Sequence, residues 1–272
     1  MRDLVLARVV LARVVLALVV LAAGPAAAEQ DMLLGADMAS PAMTKAEMSR
    51  AEVEALIATG RPVDLSGKAL SGLDLSGLDL RGANLRTARL NRASLRGTDL
   101  SGANLEQSWF LKADLSGAKL VGARMFGITA REANLSGADL RRAIPIGDFR
   151  GANLSGAILI GLKGGADLRN QSMGLMRTVF VSVNLSGANL RGADLGRARL
   201  DYADLRGADL TDAVLTGADL SGANLTGANV AGTDFRNADV GGARLLDLKG
   251  EDRASGWDAR VNADRAIGRR AE

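Results

Sequence analysis

Residues 203–222 read ADLRG-ADLTD-AVLTG-ADLSG, four units of five residues in which leucine holds the same place every time. The interval continues on both sides of this stretch. An apolar residue occupies every fifth position from Leu65 to Met125, thirteen in all, and every fifth position from Phe180 to Leu245, fourteen in all. Alanine stands two residues before most of these positions, aspartate or asparagine directly before, and glycine often two after. A period of five fits neither an amphipathic helix nor a strand with alternating faces.

A chain that turns a corner every five residues accounts for this period. Four corners would close one coil of twenty residues, with leucine and alanine pointing inward and the other three positions facing solvent. Glycine near each corner supplies the positive φ that a tight turn can require. Residues twenty apart should then stack in columns, as Asp99, Lys119 and Asp139 would. The spacing predicts an all-β solenoid of about nine coils, on the order of 45 Å long at roughly 4.8 Å per coil.

The units resemble those of the pentapeptide-repeat family, whose pattern is A(D/N)LXX. The resemblance covers residues 62–248, about two-thirds of the chain. It implies a right-handed quadrilateral β-helix, a fold in which each coil contacts only its neighbours. The family's best-known activity is mimicry of double-stranded DNA, which protects or inhibits DNA gyrase. That activity implies a strongly acidic rod in the cytoplasm.

Both ends of such a coil need covering, because an open end exposes unpaired backbone. Thr44 and Glu47 have the spacing of a capping box, which predicts a capping helix over 45–59 within a segment of residues 44–61. Gly60 would follow that helix as its left-handed residue. At the other end, residues 256–267 predict a second, weaker capping helix within the C-terminal segment 249–272.

The N-terminal segment predicts export. Residues 14–23 are all apolar, Arg8 and Arg13 precede them, and GPAAA follows, which together describe a secretory signal peptide over 1–28 with cleavage after Ala28. Residues 29–43 would then form a flexible N-terminus, and the protein would be periplasmic or secreted. The alternative is an uncleaved membrane anchor, but it would place both arginines inside the hydrocarbon.

The five-residue register is lost between residues 144 and 180 and then recovered. Pro145 and Phe149 are four residues apart, whereas later core candidates are separated by nine and by seven. These shifts cancel, so we expect bulges or short loops and not a second domain.

Large apolar residues in and near this region predict a candidate interaction surface. Several stand where the repeat would turn them outward, and Phe126 and Ile146 should stack because they are twenty apart. Contiguous exposed apolar surface often marks a contact site. The alternative is that the irregular loops fold over these side chains and bury them. The candidate residues are Trp109, Leu111, Val121, Phe126, Ile146, Leu162, Leu175 and Met176.

Composition excludes several function classes. The chain has no cysteine and no histidine, so it lacks disulfides, thiolate ligands and the commonest general base. The net charge is +3, but without residues 1–28 it would be +1 (31 basic against 30 acidic), which does not favour nucleic acid as a partner.

These observations predict a non-enzymatic exported scaffold or protein-binding module of the bacterial cell envelope, with no cofactor, no metal and no nucleic acid. Its partner would be a protein or an envelope component. The alternative is a cytoplasmic modulator of DNA gyrase, which the balanced repeat region (19 acids, 22 bases) and the signal peptide disfavour. A carbohydrate-active enzyme on a β-helix would need paired carboxylates in a cleft.

Overall fold

The computed structural model describes residues 38–60, 62–166 and 176–268. Contacts divide the chain into a unit of Met1–Ser40 and a unit of Pro41–Glu272. In the first unit only residues 38–40 are described, and they form a turn. The predicted signal peptide, residues 1–28, and most of the expected flexible N-terminus lie outside the described residues. No helix within the described ranges is long and apolar enough to cross a bilayer.

The second unit is a solenoid whose coils pair through one parallel bridge in every five residues. Each bridge joins residues twenty apart in the regular part of the chain, so the coil has four sides. We number the faces by the column of bridging residues on each, in chain order. The first face starts at Asp64 and Asn84, the second at Ala69 and Arg89, the third at Asp74 and Ser94, and the fourth at Asp79 and Asp99. The right-handed sense of winding stays a prediction.

The repeat unit accounts for its own geometry. Alanine and leucine side chains of the regular units fill the interior and are almost fully buried. At a corner of the regular coils the leucine carbonyl accepts a hydrogen bond from the N–H three residues later, as Leu65 O does from Lys68 N (3.2 Å). Gly67 lies between them with a positive φ of 69°. Asp64 Oδ1 accepts from Ser66 N (3.0 Å). Aspartate or asparagine precedes leucine because its side chain satisfies a corner N–H that would otherwise lack a partner.

The N-terminal end is covered, although the capping helix begins later than the sequence predicts. Helix α1 is Pro41–Thr44 and helix α2 is Arg50–Ala58. The capping box that starts α2 is Ser49 with Glu52, because Glu52 Oε2 accepts from Ser49 N at 2.7 Å. The predicted box was therefore wrong. Glu47 N instead donates to Ala69 O of the first coil (2.8 Å), so the edge of the coil holds this segment extended.

Helix α2 packs on the first coil through Val53, which is fully buried. Arg50 Nη1 donates to Asp74 O and Ser76 O (3.2 Å each), two carbonyls on the edge of that coil. Gly60 follows the helix with φ 68°, as predicted.

The C-terminal end is one more coil and not a helix. Three single turns of 3₁₀ helix, Glu251–Arg253, Trp257–Ala259 and Ala263–Arg265, connect bridging residues six apart instead of five. Each six-residue unit begins with a residue of positive φ, at Gly250, Gly256 and Asn262. Trp257 closes the interior with its ring 4.9 Å from that of Phe235. The prediction of a second capping helix is wrong. Residues of positive φ recur every six positions, at Gly250, Gly256, Asn262 and Gly268, and they turn the chain at each corner.

The irregular middle contains one deletion and one insertion. Strand β1 (Ile128–Thr129) pairs in parallel with strand β2 (Gly147–Asp148), nineteen residues on. The next bridge on this second face joins Asp148 to Val179, thirty-one residues on. One residue is lost and eleven are gained, a net change of ten, so the later coils recover the five-residue register. The inserted residues lie between Lys163 and Val179, and residues 167–175 are outside the described ranges.

Candidate interaction surface

Most polar side chains on the solenoid surface hold the coil together. The outward aspartates and asparagines bind corner N–H groups, and several also pair with an arginine two residues on. Arg141 Nη2 lies 2.6 Å from Asp139 Oδ2, and this hydrogen bond lowers the pKa of Asp139. Arg236 lies 2.6 Å from Asp234 and lowers the pKa of Asp234 to about 2. Lys119 Nζ lies 3.8 Å from Asp99 Oδ2, in the column that the sequence predicted.

Four units in the described part of the chain depart from this pattern, because both of the positions that a regular unit turns outward hold apolar residues. A regular unit would carry aspartate or asparagine and then serine, threonine or arginine there, and only Ile146 of the eight apolar residues is buried. The four pairs are Trp109 with Leu111, Ile144 with Ile146, Ile158 with Ile160, and Val179 with Val181.

Two of these pairs lie on the second face and its corner with the third face. Trp109 and Val179 belong to the bridging column of the second face, with Thr129 and Asp148 between them. Three coil steps separate the two, about 14 Å at the usual spacing between strands. Trp109, Leu111, Val179 and Val181 are all half-buried, so each keeps part of its apolar surface in solvent.

An ionic cluster lies between the two apolar pairs. Arg131 Nε donates to Asp148 Oδ2 at 2.5 Å, and Arg150 Nη1 lies 3.7 Å from the same oxygen. The side chains of Arg131 and Asp148 are each 14% exposed. Because the pair is largely withdrawn from water, its geometry is held more firmly than that of an exposed ion pair. We call the residues Trp109, Leu111, Arg131, Asp148, Val179 and Val181 the second-face patch.

Phe126 borders this patch, and Val121 does not. Phe126 is half-buried at the corner between the first and second faces. Val121 is also half-buried but lies at the corner between the fourth and first faces, so it belongs to a different side of the coil. Met176 is half-buried just before Val179, and Leu175 lies outside the described residues.

Ile146 and Leu162 were wrongly placed on the surface. Ile146 is 6% exposed, because the one-residue deletion removes the left-handed residue from its corner. Leu162 is fully buried because its unit is reversed: Leu162 takes the inward place of alanine and Gly164 the place of leucine. A Cβ on Gly164 would lie 3.1 Å from Leu162 Cδ2 and 2.5 Å from Thr178 Oγ1, so a side chain there would have to displace both.

Sequence reasoning missed that Val179, Val181 and Asp148 lie on the same side of the solenoid as Trp109. The twenty-residue rule does not place them in one column, since the offsets across the middle are nineteen and thirty-one. A weaker signal was present, because VFV at 179–181 is the only such unit in the second regular block with two apolar outward residues.

The described residues offer no arrangement typical of an active site. Among them, no group of three or more acidic side chains is placed to hold a metal ion. A shallow depression lined by Ser66, Asn84, Arg86 and Thr87 lies at a corner of the first coils, where Asp64 is hydrogen-bonded to Ser66.

Comparison with known proteins identifies the repeat. The family model for pentapeptide repeats matches eight copies over residues 70–107, 110–144, 178–217 and 213–245. No curated protein matches the chain.

Three solved structures of similar proteins illustrate the likeness. HetL, involved in heterocyst differentiation regulation in the cyanobacterium Nostoc sp., is 31% identical, with 81% of this chain and 99% of HetL covered and a TM-score of 0.44. QnrB1, a plasmid-mediated fluoroquinolone resistance protein, is 19% identical, with 70% and 95% covered and a TM-score of 0.49. A protein of the Arabidopsis thaliana thylakoid lumen is 28% identical, with 50% and 66% covered and a TM-score of 0.18.

Proposed function

We propose, from the premise that this chain belongs to the pentapeptide-repeat family, that it is a non-enzymatic, exported protein-binding scaffold of the bacterial cell envelope. The second-face patch carries this proposal. It is the place where outward apolar side chains and a partly buried ion pair replace the polar pattern of the repeat.

The composition of the patch suits a protein partner. Tryptophan and arginine are enriched among residues that contribute most to binding energy, and Trp109 and Arg131 lie on neighbouring coils here. The four apolar side chains frame the ion pair of Arg131 and Asp148, so a partner that covers them would exclude water from that pair. Parallel bridges also join the coils along this face, and a surface fixed in this way loses less entropy on binding.

Site-specific crosslinking tests the patch. A photoreactive residue at Leu111 in the full chain should give a discrete crosslinked product in cells. Trp109→Ser combined with Val179→Asn should abolish that product, because both apolar anchors are lost while serine and asparagine suit the repeat. Val214→Asn is the matched control, since Val214 is 38% exposed on the first face. An unchanged product in the double variant would remove the patch from the proposal.

Export is supported by residues 1–28 and needs its own test. Cell fractionation with N-terminal sequencing should recover a chain that starts at Glu29 outside the cytoplasm. A full-length chain in the cytoplasm would contradict export and favour the alternative, a modulator of DNA gyrase. A supercoiling assay would then decide that alternative, which the mixed charges of the described faces do not support.

A further inference from the structure

The corner between the fourth and first faces carries a second exposed apolar site. Ile158 bridges to Asp139 and Asn189 on the fourth face, and Ile160 follows at the corner. Their side chains are 37% and 38% exposed, whereas Leu159 between them is fully buried. This site lies away from the second-face patch, because the second and fourth faces are opposite sides of the coil.

Basic residues lie near the two isoleucines, and Asp139, which bridges to Ile158, is paired with Arg141. Arg142 N donates to Ile160 O (3.1 Å) and Gly161 N donates to Arg191 O (2.9 Å), so the coils before and after place an arginine beside this corner. Lys163 follows on the first face. Arg191 lies 3.5 Å from Asp209. Within the described ranges, no acidic side chain pairs with Arg142 or Lys163, and both are exposed.

Exposed aliphatic side chains on a convex corner with unpaired cations on either side fit a particular partner. A convex edge meets a broad surface more easily than it encloses a peptide. Isoleucine can enter the acyl boundary of a bilayer, while arginine and lysine extend to the headgroups. Cations near an anionic leaflet add attraction that falls off with salt.

We propose that the corner formed by Arg142, Ile158, Ile160 and Lys163 binds an anionic lipid surface. This contact is independent of the second-face patch, so a rod held at a membrane by this corner would still present that patch to a protein.

A local fluorescence probe tests the proposal. The chain has no cysteine, so Ile160→Cys can carry a polarity-sensitive dye as the only label on the full chain. Vesicles of phosphatidylglycerol and phosphatidylethanolamine should shift the emission to the blue, and about 0.5 M salt should reverse the shift. Phosphatidylcholine vesicles should leave the emission unchanged. The same dye at Ser221→Cys, on the diagonally opposite corner, should not respond.

Charge variants provide the matched comparison. Arg142→Gln with Lys163→Gln should weaken binding about thirtyfold, since each cation near an anionic surface contributes about a factor of five. Arg92→Gln with Arg197→Gln removes the same charge elsewhere, at two corner positions with positive φ like that of Arg142, and should have little effect. The proposal is wrong if the dye at residue 160 ignores anionic vesicles, if both pairs of variants weaken binding equally, or if soluble polyglutamate shifts the dye and vesicles do not.

Discussion

The units around Leu190 and Leu162 belong to one solenoid, yet they fill the interior differently. In the regular unit Ala188 and Leu190 point inward, small then large, and both are buried. In the other unit the order is reversed, with Leu162 first and Gly164 second. A second reversal occurs at Ile128 and Ala130, where Ile128 is buried in the place of alanine.

In the reversed units the total volume of the inward side chains stays nearly the same, although the order of large and small residues changes. Ile128 lies beside Gly147 of the next coil, where a Cβ would come within 2.4 Å of Ile128 O. In both reversed units, a glycine therefore lies against the large side chain in the alanine place. Since protein interiors are packed at nearly constant density, the two changes depend on each other. The following variants test this dependence, from the largest expected effect to the smallest.

The exchange at Leu162 and Gly164 should give the largest effect. Leu162→Ala should cost about 3 kcal/mol through the cavity it leaves, and Gly164→Leu about 2–3 kcal/mol through overpacking. Together they restore the regular order, and the combined loss should be smaller than the sum of the two, because the new leucine fills the space of the old. Urea denaturation of the four proteins in the cycle measures this. Strict additivity would mean that the reversed unit is not compensated.

Two glycine variants separate lack of space from backbone strain. Gly147→Ala should cost about 3 kcal/mol, because backbone atoms of Ile128 occupy the place of the new Cβ. Gly207→Ala in the regular region has open space but a φ of 63°, so it should cost only about 1 kcal/mol. The free energies of unfolding compare them directly. Equal losses would show that the close approach of β1 and β2 relaxes without cost.

The same contrast decides what could be read from the sequence. The columns of residues twenty apart were predictable in the regular blocks, because every five-residue unit forms one corner and the offset between coils stays constant. Ile146 and Leu162 were misplaced since a reversed or shortened unit looks, in one dimension, like an ordinary unit with apolar residues turned outward. The spacing could not place Trp109 and Val179 on the same face, because the eleven-residue insertion changes the offset between them, and only the two outward valines at 179 and 181 gave a weaker signal.

The end of the insertion is fastened by a buried hydroxyl. Thr178 Oγ1 donates to Pro145 O (2.8 Å), whereas in the regular region Thr98 Oγ1 donates to Leu75 O (2.9 Å). Thr178→Val and Thr98→Val should each lower the free energy of unfolding by about 1–2 kcal/mol. Only Thr178→Val should also speed amide exchange at Val179, whose N–H donates to Gly147 O (2.9 Å), because that bond closes the insertion. Equal exchange in both variants would show that the insertion is held by other contacts.

The smallest expected effect is the loss of stability at low pH through the pair of Asp234 and Arg236. Arg236 lowers the pKa of Asp234 to about 2, below an unfolded value of about 3.9. The pair therefore stabilises the fold above pH 4, and that stability is lost as pH falls from about 4 towards 2. Because Arg236 is 64% exposed, the loss should be below about 1 kcal/mol.

Asp234→Asn should remove this part of the pH dependence and leave the corner intact. The amide of Asn224 already accepts from Thr226 N (3.1 Å) at the equivalent place in another unit, so an asparagine at 234 can accept from Arg236 N. Lys163 lies three coils earlier in the same column. Urea midpoints at pH 6, 4 and 2.5 test the difference. A variant that loses as much stability in acid as the parent would assign the acid sensitivity to other carboxylates, such as Asp139 and Asp204, whose pKa values their own arginines also lower.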